Sequence, residues 1–289
     1  MDFQLNKKIA KKLDEMADLL QQQGANPFRI RAYRRAAETV SGLKKDIEDI
    51  LKKDGSKGLI ALPSIGQGIA TAIAEIITTG HWAQFERLRG NLDPAHLFQT
   101  IPGIGADLAS KIYQGLHIDS LEALEIAAYN GKLEQIKGIG KRRLAAIRNA
   151  LSSILGRTRR IHHLPQKESP DVALLLDIDR LYLESAITGS LPLIAPKRFN
   201  PGHEAWLPIL HTDQKGWHFT ALYSNSALAH QLNMTRDWVV IYFYDEHHQE
   251  GQQTVVTETQ GDLIGKRVIR GREDECRKYY LQLTKHLIL

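Results

Sequence analysis

Apolar residues recur at helical spacing through the first third of the chain. Ile9, Leu13, Met16, Leu19 and Leu20 form one stripe, and Ala32, Ala36, Ala37, Val40 and Leu43 form a second. The pattern predicts helices from Gln4 to about Leu51, broken at Gly24-Ala25-Asn26-Pro27, with Pro27 in the first turn of the second helix. Further helical patterns cover Ser64 to Thr79, Asp93 to Leu116, Ser120 to Tyr129 and Lys141 to Leu155. Asp119-Ser120 followed by Leu-Glu-Ala-Leu-Glu reads as a cap with an acidic first turn. Beyond a polar, basic stretch from Gly156 to Pro170 the period changes to that of strands. Trp206 to His211, Trp217 to Tyr223, Trp238 to Tyr244 and Thr254 to Thr259 are short and rich in β-branched and aromatic residues. With helices over Ile178 to Ala186, Ser224 to Asn233 and Glu273 to Ile288, this half reads as α+β with a mostly antiparallel sheet.

Within the helical half one phrase occurs three times: Leu62-Pro63-Ser64-Ile65-Gly66, Ile101-Pro102-Gly103-Ile104-Gly105 and Ile136-Lys137-Gly138-Ile139-Gly140. Each reads as helix, tight turn, helix. Glycine permits positive φ and leaves the amides at the next helix's N-terminus uncovered, so a phosphate can approach the backbone. This is the helix-hairpin-helix way of gripping a nucleic-acid backbone without reading its bases. The third copy is the most basic, with Lys137, Lys141, Arg142 and Arg143 around Gly138 and Gly140. The second follows Gly103 and Gly105 with Ala106-Asp107, and a carboxylate there opposes a phosphate. A further basic cluster, Phe28-Arg29-Ile30-Arg31-Ala32-Tyr33-Arg34-Arg35, is expected to present Arg31, Arg34 and Arg35 on one face and to bury Phe28, Ala32 and Ala36 on the other. Tyr33 is expected either to stack on a base or sugar or to enter the core.

Charge sharpens this division. Residues 1 to 160 carry 25 Lys and Arg against 17 Asp and Glu, a net +8, whereas residues 161 to 289 carry 13 against 16, a net −3. The basic character therefore belongs to the half with the repeats, as expected where one half sits on a polyanion. One cysteine, Cys276, excludes an internal disulfide framework and a multi-cysteine zinc site. The chain has neither a secretory signal pattern nor an apolar run of transmembrane length, so a cytoplasmic protein with no membrane partner is expected.

The stretch from Asn26-Pro27-Phe28-Arg29 to Ala37, with Leu62-Pro63-Ser64-Ile65-Gly66 and its helix to Thr79-Gly80, resembles the N-terminal domain of family X DNA polymerases, the DNA polymerase beta group. Phe98 to Leu151, with the second and third hairpins, is similar to the tandem helix-hairpin-helix unit of bacterial family X polymerases and NAD-dependent DNA ligases. The resemblance implies residues 1–90 as a polymerase-beta-like helical domain and 91–157 as the tandem unit. Residues 158–170 are then a linker and 171–289 an α+β domain of unassigned role. It also implies a monovalent cation, Na+ or K+, on the carbonyls of Gln99, Ile101 and Ile104. DNA is the implied partner, bound through Gly66, Gly103, Gly105, Gly138, Gly140, the cations of the third hairpin, and Arg29, Arg31, Tyr33, Arg34 and Arg35. Gapped, nicked or branched duplex is the implied form, in repair or recombination.

Two departures bear on catalysis. The lyase members of the family use a lysine on the helix after the first hairpin, and here the corresponding positions are Gly68 and Ala72, with Lys52, Lys53 and Lys57 on an expected connection nearby. The family's polymerase site places Gly-Ser ahead of Asp-x-Asp, whereas Gly189-Ser190 here follows Asp177-Ile178-Asp179. Asp177 is expected to cap a helix and Asp179 to lie at its positive end. The C-terminal half holds nine of the twelve histidines without metalloprotease spacing. It also carries Lys197-Arg198-Phe199, Lys266-Arg267, Arg270 and Arg272 alongside Trp206, Trp217 and Trp238. Those cations and rings either line a single-strand or nucleotide pocket or divide into surface charge and sheet core. Three functions remain open: a DNA-binding protein without sequence preference, a diverged lyase, nuclease or nucleotidyltransferase, and a DNA tether whose C-terminal domain binds a protein.

Overall fold

A computed structural model describes residues 3–91, 93–116, 118–154, 169–245 and 250–286. They form two compact units, residues 3–154 in the first and 169–286 in the second. The expected linker at 158–170 lies almost wholly outside the described residues.

The first unit is helical, with α1 (Gln4–Gln22), α2 (Pro27–Ser41), α3 (Ile47–Ile60), α4 (Gln67–Thr79), α5 (Ala83–Leu88), α6 (Pro94–Gln99), α7 (Ala106–Leu116), α8 (Leu121–Tyr129) and α9 (Lys141–Ile154). The helix starts follow from their caps. Asn26 accepts from Phe28 N at 2.8 Å ahead of Pro27, and Ser120 accepts from Ala123 N at 3.2 Å. Ile9, Leu13, Met16 and Leu20 of α1 are buried, as are Ala36, Ala37 and Val40 of α2. Buried Asn6 ties α1 to the start of α3, donating to Lys45 O at 2.8 Å and accepting from Ile47 N at 3.0 Å. Lys52, Lys53 and Lys57 stand on α3, not on a connection. Gly55, at φ 62 and ψ −156, kinks that helix, so its periodicity breaks in the sequence as well. A second core joins Phe98, Ile101, Ile104 and Ile112 to Leu124, Leu144, Ile147 and Leu151.

The second unit holds α10 (Val172–Ile187), α11 (Ala227–Gln231), α12 (Glu273–His286) and a sheet of six antiparallel strands in sequence order. These are β1 (Leu193–Ile194), β2 (Leu207–Gln214), β3 (Trp217–Tyr223), β4 (Val239–Tyr244), β5 (Gly251–Thr257) and β6 (Arg267–Ile269). The sequence pattern marks four strands; β1 and β6 hold two and three residues, too few to show a period. β4 is buried along its whole length. Gly251 pairs with Phe243 in the β4–β5 ladder, and a Cβ there would stand 2.4 Å from the Phe243 ring, so only glycine leaves the ring its place.

α10 corrects the sequence reading. Its cap is Asp171, which accepts from Leu174 N at 2.7 Å, and the helix is under way well before Asp177. Asp177 is instead on the helix surface, paired with Arg180 at 2.9 Å. Asp179 is 1% exposed and takes both ends of the Arg267 guanidinium, at 2.7 and 2.8 Å. Arg267 also donates to Asp237 at 2.9 Å and to Thr257 Oγ1 at 3.0 Å, which joins α10, β5, β6 and the approach to β4. Burial pushes the Asp179 carboxyl above the usual range, against the pull of Arg267.

Candidate nucleic-acid interface

Each hairpin closes with the same bond across its turn. Ile65 N donates to Leu62 O at 3.3 Å, Ile104 N to Ile101 O at 3.0 Å, and Ile139 N to Ile136 O at 3.1 Å. The third residue of each turn takes positive φ: Ser64 at 61°, Gly103 at 91° and Gly138 at 106°. This is the requirement of a type II turn, and Pro63 and Pro102 occupy the position where proline suits it. The closing isoleucines Ile65, Ile104 and Ile139 are buried, which anchors each turn from beneath.

The two glycines of the phrase therefore differ. Positive φ belongs to the first, and in the first hairpin Ser64 takes it without glycine's freedom. The second is at a helix start in extended backbone, with φ −81° and ψ 177° at Gly66. Around Gly66, Gly105 and Gly140 a Cβ would meet nothing within 4 Å. What glycine supplies there is open space above the first-turn amides, which have no intrahelical partner. No side chain caps α4.

Of the three, only the last hairpin gathers cations. Lys137, Gly138, Gly140, Lys141, Arg142 and Arg143 are all exposed. Arg143 donates to Gly138 O, which holds its guanidinium over the turn. At the second hairpin Gly103 and Gly105 are exposed, and Asp107 is paired with Lys111 at 2.5 Å. The second and third turns are neighbours: Leu108, in the first turn of α7, reaches to 3.9 Å from where a Gly138 Cβ would stand.

α2 divides differently from the expected faces. Phe28 is 75% exposed, with the Arg31 guanidinium 4.5 Å over its ring. Tyr33 turns inward, 5.7 Å from Trp82, and its hydroxyl meets Gln84 Oε1 at 3.3 Å. The Tyr33 ring is thus a core group and is not turned out toward a partner. Arg34 is bound to Asp18 and Gln21, both at 2.9 Å, so its charge is already partly met within the fold. Arg29 is half-buried, whereas Arg31 and Arg35 are exposed one turn apart. Periodicity does not reveal this, because Phe28 lies in the first turn of α2, where the helix has no preceding turn to pack beside it.

Gly68 and Ala72 lie along α4 after the first hairpin, and Ala72 is buried. Burial lowers the pKa of Lys12, whose Nζ donates to Gly80 O at 3.3 Å. Gly80 ends α4, about 20 Å along the helix from the first turn, so Lys12 does not serve that hairpin. Among the described residues no group of three or more His, Cys, Asp or Glu is placed to hold a metal ion. In the second unit Trp206, Trp217 and Trp238 are half-buried and do not form the sheet core. The arginines flanking β6 turn to acids, Arg270 to Glu258 at 2.8 Å and Arg272 to Glu275 at 2.6 Å, while Lys266 lies over the Tyr280 ring at 4.8 Å. Cys276 is buried, accepts from Ile269 N at 3.4 Å, and has a thiol pushed up by burial, as fits a packing residue.

Paired helices around type II turns with bare N-terminal amides define helix-hairpin-helix modules. Residues 4–82 match the family described as "Helix-hairpin-helix domain", and residues 95–153 match "SAM-like Helix-hairpin-helix tandem". A curated relative is the "DNA polymerase/3'-5' exonuclease PolX" of Bacillus subtilis (strain 168), 28% identical over 146 residues, which are 50% of this chain and 25% of that protein. The chain thus spans about a quarter of the length of the relative it matches. Its N-terminal half is a helix-hairpin-helix region of the PolX-like kind. No helix among the described residues is long and apolar enough to cross a membrane.

Proposed function

We propose that the protein binds DNA without sequence preference, gripping phosphates through its hairpins, and that interrupted duplex in repair or recombination is its target. One observation carries this reading: the second and third turns stand side by side, with open space above Gly105 and Gly140 and four exposed cations at the third. Amides and a helix dipole fix where a phosphate sits, and mobile Lys and Arg supply the charge. Neither reads a base edge, so affinity depends on backbone geometry and salt. Paired hairpins match the two strands of a duplex better than a single turn does. The first hairpin has uncovered amides and no cation in its turn or in α4. Its grip is consequently weaker, and the exposed Phe28, Arg31 and Arg35 of α2 add a ring and two cations to the same unit.

A Na+ or K+ on the carbonyls of Gln99, Ile101 and Ile104 belongs to the same proposal. Gln99 ends α6, where carbonyls lack intrahelical partners, and the Ile101 carbonyl accepts only Ile104 N among the turn's backbone bonds. A cation there would stiffen the second turn. Comparing binding to nicked, gapped, branched and intact duplex of one sequence tests the target. The reading expects the interrupted forms to bind more tightly, and equal affinity for all four would remove structure selectivity from it.

A further inference from the structure

We propose that the corner between the loop at 195–206 and α11 is a stacking site for an unpaired nucleotide, contributed by the second unit independently of the hairpins. Phe199 is 47% exposed, and its ring lies 4.4 Å from that of His230, with Trp206 edge-on to His230 at 6.5 Å. The Arg198 guanidinium sits 5.1 Å over the Phe199 ring, and Lys197 beside it is exposed. A half-exposed ring with a guanidinium over its face offers a base a combined aromatic and guanidinium platform, and Lys197 beside it offers the phosphate a counter-charge.

The corner is built rather than incidental. His230 Nε2 meets Asn225 Oδ1 at 2.6 Å, and Asn225 Nδ2 donates to Arg198 O at 3.1 Å, so one amide fixes both the imidazole and the loop. That bond places the proton on Nε2 and leaves Nδ1 as an acceptor, with no hydrogen bond among the described residues. Burial, then Arg198, lower the His230 pKa. Phe199 itself is held at φ 53, a left-handed conformation that disfavours a bulky residue. His203 and Asn233, also at positive φ, flank the same corner. Strain kept beside an exposed ring is the mark of a position fixed for use. A nucleotide fits better than a protein partner because residues 191–206 carry Lys197, Arg198 and His203 against one carboxylate, Glu204.

The test measures anisotropy of a labelled dT oligomer of roughly 12 nucleotides, and of an intact duplex, on the full chain. Phe199→Ala is expected to weaken dT binding about tenfold and to leave duplex binding unchanged, while Phe199→Trp retains both. The same pair of variants on a Lys141→Ala, Arg142→Ala, Arg143→Ala background should repeat the dT difference. Failure of the hairpin reading would instead appear as duplex binding that this background leaves intact. Equal dT affinity of the parent and Phe199→Ala overturns the proposal, as does an equal loss on dT and duplex. A corner that docks a protein gives the first of these results.

Discussion

Gly138 and Gly140 lie two residues apart and answer to different constraints. Gly138 holds φ 106, so Gly138→Ala should lower stability by about 1–2 kcal/mol, read as a fall in the denaturant midpoint. Gly140 has open space where its Cβ would be. Gly140→Ala should therefore leave the midpoint nearly unchanged yet weaken DNA binding, because the methyl group stands where a phosphate approaches the α9 amides. If both variants lose stability equally, the division of roles is wrong. Ser64→Gly removes the one left-handed side chain in the hairpins and should not destabilise. At this scale the sequence showed where the turns are, since the phrase repeats. It did not show that glycine's two places differ, because φ is a property of the folded turn. Nor did it show the directions of Phe28 and Tyr33; the Tyr33 ring packs on Trp82, which is far along the chain.

Among the elements, α10 is tied to the sheet through Arg267. Arg267→Ala would leave Asp179 buried without its counter-charge and with Asp237 nearby, at a cost of about 3–5 kcal/mol, measurable as a separate or earlier unfolding transition. A change under about 1 kcal/mol, the range of a surface pair, would contradict that reading. The connection from β5 to β6 gives a pH signature. Glu258 accepts from Thr259 N at 2.8 Å and from Arg270 at 2.8 Å, which hold its carboxyl below its ordinary value of 4.5. A depressed carboxylate stabilises the fold above its unfolded pKa, and the gain is lost as pH falls through the lower folded value. Glu258→Gln should thus flatten the loss of stability on acidification below about pH 4.5, with unfolding followed by circular dichroism. An unchanged acid profile would place the acid sensitivity elsewhere. Long helices and central strands were legible because they repeat their period several times. The short edge strands, the kinked α3 and the true start of α10 were not. Leu174, Leu175 and Leu176 run together there and give no helical spacing, so the later Asp177 looks like a cap.

For the whole molecule, charge separates the two units as the sequence separates them, net +8 before residue 161 and −3 after it. In the first unit the third hairpin keeps its cations exposed. In the second, Arg267, Arg270, Arg272 and Arg277 are all paired with carboxylates, so these four arginines do not add up to a positive face. Composition alone could not separate these cases, since pairing across 88 residues, as between Asp179 and Arg267, has no local trace. If phosphates seated at the third hairpin hold the DNA, salt should reveal it. The decisive quantity is the slope of log K against log salt on one duplex, for the full chain and for Lys141→Ala, Arg142→Ala, Arg143→Ala. A steep linear fall is expected for the parent, and for the variant a slope shallower by about one unit for each phosphate it no longer neutralises. A flat dependence in the parent, or identical slopes for the two proteins, would mean that the third hairpin does not hold the DNA.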